Sequence, residues 1–214
     1  MNLTLNYMNN KMKNNAIHLE PTSRCTLSCS NCIRTQYIDS IPIEDCDIDM
    51  VIKATKEKNW LHMCGNHGDP IYHPKFHELL HGVRKENPTI VFSMHTNGAF
   101  RSIDWWEKTA SLLTNKKDTI YFSIDGLPNT NHIYRVNSKW ESIENAIKTL
   151  VRVNPNLKLI WKWIVFKYNQ NQIDEGIELA KKLGFSEFEM VNSFDNPNDL
   201  DNTLDWQMLK EKYT

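Results

Sequence analysis

The sequence predicts an α/β domain whose core is a parallel sheet. Two patterns carry this expectation. Short apolar or β-branched runs alternate with stretches of helical period, as βαβ units require. Their spacing fits six such units into the chain. Two closures satisfy the pattern: a doubly wound open sheet and an incomplete barrel of six strands. In either, the chemistry belongs at the carboxyl ends of the strands.

The elements follow in order. Met1–Asn15 is polar, rich in Asn and Lys, and reads as a flexible arm, with residues 16–214 forming a single domain. The first strand is Ala16–Leu19, and the crossover Asp47–Lys56 reads as helix. Trp60–Cys64 is the second strand. After it, Phe76, Leu79, Leu80 and Val83 fall at i, i+3, i+4 and i+7 on a helix begun by Pro74. Thr89–Met94 is the third strand. It is followed by an N-cap at Ser102 and the stripe Ile103, Trp106, Ala110 and Leu113. Thr119–Ile124 is the fourth, with Ser138 and Glu141 at capping-box spacing before Trp140, Ile143, Ile147 and Leu150. Leu157–Phe166 is the fifth, and Ile173, Ile177 and Ala180 lie on a helix stopped by Gly184 after two lysines. Glu187–Val191 is the sixth, and Trp206–Lys212 reads as a last helix.

Composition narrows the function. The 214 residues suffice for one well-filled core; they are 40% hydrophobic and 24% charged, with a formal charge of −1. There is no basic tail or stripe to attract nucleic acid. No apolar run approaches the roughly 20 residues of a membrane span. The first fifteen residues lack the apolar centre of a signal peptide, so the expected location is cytoplasmic. Five cysteines is an odd number, and three of them crowd into eight residues. That is the pattern of a metal-binding loop in a reducing compartment rather than a disulfide framework.

The loop runs from Leu19 to Cys32 and places Cys25, Cys29 and Cys32 in a CxxxCxxC spacing just after the first strand. Three thiolates on one tight loop suit three irons of a cubane and leave the fourth iron open. Structural zinc is the alternative. It takes four ligands, so Cys46 or His18 would have to complete the set.

This loop resembles the signature of the radical S-adenosylmethionine (SAM) superfamily, with Asn31 where an aromatic residue often precedes the third cysteine. Gly68-Asp69-Pro70 resembles the family's Gly-Gly-Glu-Pro stretch, with Asp in place of Glu. Thr96-Asn97-Gly98 resembles its Thr-Asn-Gly turn. Ser123-Ile124-Asp125-Gly126, with Tyr134-Arg135 downstream, resembles its Ser-x-Asp-Gly motif. The resemblance implies a partial (β/α)6 barrel, one 4Fe–4S cluster on Cys25, Cys29 and Cys32, and bound SAM. It implies SAM contacts from Gly68, Asp69, Asn97, Ser123, Asp125 and Arg135, and from backbone near Val165, placed by its spacing from Asn169. It also implies reductive SAM cleavage, hydrogen abstraction from a substrate, and an external donor, flavodoxin or ferredoxin. The motif style is closest to peptide-modifying relatives. That style makes a peptide or protein the expected substrate, with a small metabolite or nucleotide the alternative, while the absence of any cysteine after Cys64 implies a single cluster without those relatives' cysteine-rich extension. The competing class is a zinc-stabilised α/β binding module that would not recognise SAM.

Several residues stand outside these motifs. His73, His77 and His81 recur every four residues; His77 and His81 share a helix face, where two histidines can bind zinc, and read as solvated. His67 and His95 lie at strand ends where they can face a substrate. Cys64 reads as a buried core thiol, and Cys46 as exposed in a loop. Trp161 and Trp163 alternate with Lys162, so one face of that strand is expected to line a cavity.

Overall fold

The computed structural model describes residues 2–4, 15–37, 42–192 and 212–213. Its strands are β1 (Asn2–Thr4), β2 (Ala16–Leu19), β3 (Trp60–Met63), β4 (Val91–Thr96), β5 (Thr119–Ser123), β6 (Lys158–Val165) and β7 (Glu187–Asn192). From β2 to β7 each strand pairs in parallel with its neighbour in sequence. A doubly wound sheet would reverse this order at a switch point. One-way winding is the topology of a barrel, left incomplete here because among the described residues β2 has no partner on its outer side. At the far edge β1 pairs in parallel with β7, so Asn2–Thr4, assigned by sequence to a flexible arm, adds a seventh strand.

The crossovers are α2 (Ile48–Ala54), α3 (Phe76–Glu86), α4 (Ile103–Leu112), α6 (Trp140–Val153) and α7 (Ile173–Leu183). Two single turns, α1 (Ile33–Gln36) and α5 (Asn131–Tyr134), lie in the loops after β2 and β5. Helix ends follow local chemistry. The Asp47 carboxylate accepts from Asp49 and Met50 N–H at the start of α2, and Ser102 Oγ accepts from Trp105 N–H at the start of α4. Gly184 ends α7 in the left-handed conformation at φ 89°. The expected cap at Ser138 is not made. Lys139 stands at the N-cap of α6 without a side-chain bond, and Ser138 Oγ instead accepts from Asn131 Nδ2 at 3.0 Å. Of the expected last helix only Lys212 lies within the described residues. It pairs with Asp174 at 2.8 Å.

The strands β2 to β7 split their side chains between two environments. One face is apolar and buried under the helices, through Leu61, Met63, Phe92, Met94, Phe122, Trp161, Trp163 and Phe188. The other face carries His18, exposed at the open edge, with His62, Ser93, His95, Tyr121, Lys162 and Glu189 towards the barrel lumen. Both tryptophans of β6 are therefore core residues, and the lumen receives Lys162. At the amino ends of the strands, Arg84 pairs with buried Asp118 at 2.7 Å, and Asp118 Oδ1 accepts from Phe92 N–H at 2.8 Å. That end of the sheet is devoted to stability, which leaves the carboxyl ends for chemistry. Among the described residues no helix is long and apolar enough to cross a membrane.

Candidate active site at the carboxyl ends of the strands

The cysteine loop leaves β2 and is pinned at both sides. Thr22 Oγ1 donates to Asp45 at 2.6 Å, and Arg24 grips the same carboxylate through Nε and Nη2 at 3.0–3.2 Å. On the other side the backbone passes close to the loop after β3. Asp69 N–H donates to Arg24 C=O at 2.8 Å. A Cβ on Gly68 would stand 2.2 Å from Thr22 O and 2.7 Å from Ser23 C, so only glycine permits this approach. Cys29 is buried with Leu27 and Ala99, while Cys25 and Cys32 pack partly exposed beside them. All three are free thiols.

Donors from later loops converge on these sulfurs. Asn97 Nδ2 and Leu27 N–H each lie 3.5 Å from Cys25 Sγ. Arg135 Nη1 lies 3.8 Å from Cys29 Sγ. Arg135 is in turn held by Asp125, whose Oδ2 accepts from Arg135 Nε at 2.6 Å while Oδ1 accepts from Ile164 N–H at 2.6 Å. The Asp125 carboxylate is wholly buried. Burial opposes the charge on Arg135, yet Asp125 beside it raises the guanidinium's pKa, and burial raises the Asp125 carboxyl in turn against the pull of Arg135. Burial and then the charge of Asp69 push the Cys25 thiol up to about 12. Burial also raises Cys29, against the pull of Arg135. Metal binding at this loop must therefore displace protons.

Asp69 is buried and its acceptors are taken by protein donors. Oδ2 receives Asn97 N–H at 2.7 Å and Thr96 Oγ1 at 3.1 Å, and Oδ1 receives Ile71 N–H at 3.2 Å. Burial outweighs these donors and lifts its pKa to about 6. Its geometry is that of a clamp setting the Thr96-Asn97-Gly98 turn against the cysteine loop.

One cleft gathers most of the expected site. Cys25, Cys29, Cys32, Gly68, Asp69, Asn97, Ser123 and Arg135 line it, with His95 from the lumen side. Two expected residues stand behind its wall. Asp125 acts through Arg135, since both carboxylate oxygens are engaged. Val165 is fully buried on the helix side of β6, its backbone in the ladder opposite Asn192. Sequence reading passed over Arg34, which lines the cleft and donates to Leu27 C=O at 2.8 Å. It also passed over Tyr72, which donates to Ala99 C=O at 2.6 Å and receives Thr26 Oγ1 at 2.8 Å. Neither belongs to a spaced motif, so no local signal marks them.

The other metal candidates separate. His77 Nε2 lies 3.0 Å from Thr109 Oγ1 and its ring packs on Trp105, while His81 is exposed, so the two do not converge. Cys46 is half-buried beside His73 rather than exposed. Cys64 is only partly buried and turns to the lumen, not the core. His67 is exposed on its loop. Among the described residues, the set whose ligand atoms all lie within 4.8 Å of one another is His18, His62 and Cys64. The cysteines of the loop do not form such a set with each other, with Cys46 or with His18. Ligands of one tetrahedral zinc would stand about 3.8 Å apart, given Zn–S bonds of about 2.3 Å. Three free thiols on one loop suit three irons of a cubane and leave the fourth iron open.

The model of the radical SAM superfamily matches residues 19–161, about two thirds of the chain. The chain belongs to that superfamily. Its members bind a 4Fe–4S cluster and SAM, and they require a reductant. The tungsten-containing aldehyde ferredoxin oxidoreductase cofactor-modifying protein of Pyrococcus furiosus is 28% identical over 177 residues, covering 78% of this chain and 48% of that protein. Streptococcus suis SuiB bound to SAM superposes with a TM-score of 0.71 at 16% identity, over 92% of this chain and 45% of SuiB. SuiB has the same fold when bound to its precursor peptide SuiA, at a TM-score of 0.69, 17% identity and coverage of 92% and 44%. The anSMEcpe structure with bound SAM gives 0.67 at 16% identity, over 84% of this chain and 51% of that one. The radical SAM chain described here thus spans about half the length of the relatives it matches.

Proposed function

We propose that the chain is a radical SAM enzyme in which Cys25, Cys29 and Cys32 hold the 4Fe–4S cluster and the cleft beside them holds SAM. The observation that carries this is the convergence of three free thiols from one loop on a single cleft, with Asn97 and Arg135 directed at their sulfurs. When bound and reduced, the cluster supplies the electron that splits SAM into methionine and a 5′-deoxyadenosyl radical, which takes a hydrogen atom from substrate. The chain's own residues prepare that event. Arg135 and Asn97 stabilise thiolate at Cys29 and Cys25, lowering the cost of deprotonating buried sulfur. Gly68 and Asp69 hold the loops after β3 and β4 against the cysteine loop, and Ser123 offers a hydroxyl on the cleft wall. His95, stacked on Tyr121 at 4.6 Å, separates the cleft from the lumen where a substrate would be placed. The electron comes from outside, from a flavodoxin or ferredoxin.

A peptide or protein is the preferred substrate, since SuiB binds a precursor peptide and shares the fold. The Pyrococcus relative, a cofactor-modifying protein, supports a second reading with a small-molecule substrate. The test is anaerobic reconstitution with iron and sulfide, reduction with dithionite, and assay of 5′-deoxyadenosine from added SAM. Cluster assembly and 5′-deoxyadenosine are expected, both lost in Cys25→Ser, Cys29→Ser and Cys32→Ser. A chain that takes up one zinc and leaves SAM intact refutes the proposal in favour of a zinc-stabilised module.

A further inference from the structure

His18, His62 and Cys64 have no part in the function proposed above. In the β2–β3 ladder His18 stands directly opposite His62. Cys64 follows two residues after His62, so all three project to the lumen side. One ring nitrogen of each histidine and Cys64 Sγ lie within 4.8 Å of one another. The two rings meet edge-on with centroids 5.4 Å apart. Among the described residues His62 is anchored by one nitrogen: Nδ1 lies 2.6 Å from Ser93 Oγ, which Trp60 Nε1 fixes from the other side at 2.6 Å. A histidine held by one nitrogen and free at the other is the usual arrangement of a metal ligand.

We propose that His18, His62 and Cys64 form a second metal site, separate from the cysteine loop, that binds one zinc-class divalent cation and presents an open coordination position to substrate. Two imidazoles and a thiol form a borderline-soft set that suits zinc or cobalt and not magnesium or calcium. Bonds of about 2.0 Å to nitrogen and 2.3 Å to sulfur draw the ligand atoms to about 3.5 Å apart, a closure that side-chain rotation supplies. Three protein ligands leave a fourth position exchangeable, as in catalytic rather than structural zinc sites.

The location gives the open position its use. Cys64 adjoins Gly65, which lines the cleft, and the His62 ring lies 5.1 Å from that of His95, which also lines it. A group bound to the metal therefore stands beside the proposed SAM site. Lys162 lies on the lumen side of β6, in register with Ser123 of β5 on one side and with the buried Glu189 of β7 on the other. This role towards substrate rests on the proposed radical SAM function; the metal site itself does not.

The experiment is anaerobic titration of the cluster-loaded chain with Co2+, followed by absorption spectroscopy and by iron and sulfide analysis of the same samples. A single cobalt with a thiolate-to-cobalt band is expected. Cys64→Ser abolishes the band, His18→Ala weakens binding at least about tenfold, and Ser93→Ala weakens it by about 10–100-fold through loss of the His62 anchor. Iron and sulfide contents stay unchanged in all three. Absence of a thiolate–cobalt band in the wild-type chain, or a band that survives Cys64→Ser, overturns the site. A chain that takes up no cluster yet shows a cobalt band sensitive to Cys64→Ser overturns the reading of the cysteine loop and leaves this site standing.

Discussion

Asp125→Asn isolates what the buried ion pair does for the cysteine loop. The carboxylate is fully buried and faces two donors, Arg135 Nε and Ile164 N–H, both at 2.6 Å. Asparagine has one acceptor for these two donors, so one donor is left facing an amide NH2. The larger loss is the charge. Arg135 is 16% exposed and would keep a guanidinium with no counter-ion in the wall of the cleft. At an effective dielectric constant of about 20 and a charge separation of about 4 Å, the lost attraction is about 4 kcal/mol. Measured removals of one partner from a buried pair cost about 3–5 kcal/mol. For a chain of this size, that lowers Tm by about 6–20 °C.

The cluster-loaded chain should lose less. Arg135 Nη1 lies 3.8 Å from Cys29 Sγ, and a metal-bound thiolate supplies negative charge that the free thiol lacks. That charge offsets about 1–3 kcal/mol of the penalty. Denaturant unfolding of the apo and reconstituted forms, both anaerobic, measures the difference. In a double-mutant cycle with Arg135→Gln the two effects should be strongly non-additive, since each change removes the same pair. If Asp125→Asn costs the same in both forms, Arg135 does not act on Cys29. If it costs under about 1 kcal/mol in either form, the pair is not the buried salt bridge described here.

Gly68→Ala drives a methyl group into Thr22 C=O and Ser23 of the cysteine loop, backbone that has no room to yield; a loss of about 1–3 kcal/mol and a sharp fall in iron content after reconstitution are expected. Asp69→Asn leaves a buried donor facing Asn97 N–H or Ile71 N–H, at about 1–3 kcal/mol, and should weaken SAM binding, measured by equilibrium dialysis, more than it lowers iron content. Asp118→Asn breaks the Arg84 pair at the opposite end of the sheet, with a stability loss of about 3 kcal/mol. SAM cleavage per folded, cluster-loaded molecule should be unchanged in that variant, because no residue of the cleft touches Asp118.

The fold was legible where burial is strong. The six apolar runs become β2 to β7 with ends shifted by at most two residues, because a strand under helices needs continuous apolar or β-branched sequence. The stripe Phe76, Leu79, Leu80 and Val83 is buried along α3, since the period decides which side chains meet the sheet. What escaped was short or depended on distant partners. β1 is three residues, Asn-Leu-Thr, and exists only because β7 offers an unpaired edge. α1 and α5 are single turns, too brief for any period to show. Ser138 has the right spacing for a cap, but its hydroxyl is engaged by Asn131. The order of the strands, which separates a barrel from a doubly wound sheet, lies in pairing that no local pattern encodes.

The site divides in the same way. Cys25, Cys29 and Cys32 were legible because three ligands on one loop leave a spacing in the sequence. Asp125 and Arg135 were legible as residues but not in their division of labour. Only the turn of α5 shows that the carboxylate holds the guanidinium and the guanidinium meets the sulfur. The lumen was hardest to see. His18, His62, Ser93 and Lys162 each occupy one polar position in an otherwise apolar or mixed strand, and alone each looks like a tolerated exception. Parallel register brings His18 opposite His62, and His62 opposite Ser93, so separate exceptions become one polar surface. A lumen filled only for stability would repeat the aliphatic side chains of the helix face, since unpaired polar groups there cost free energy that apolar packing avoids. Lys162 meets the buried Glu189 across the β6–β7 ladder, but the imidazoles and thiol gathered beside the cysteine cleft are better explained by what enters the barrel than by what holds it together.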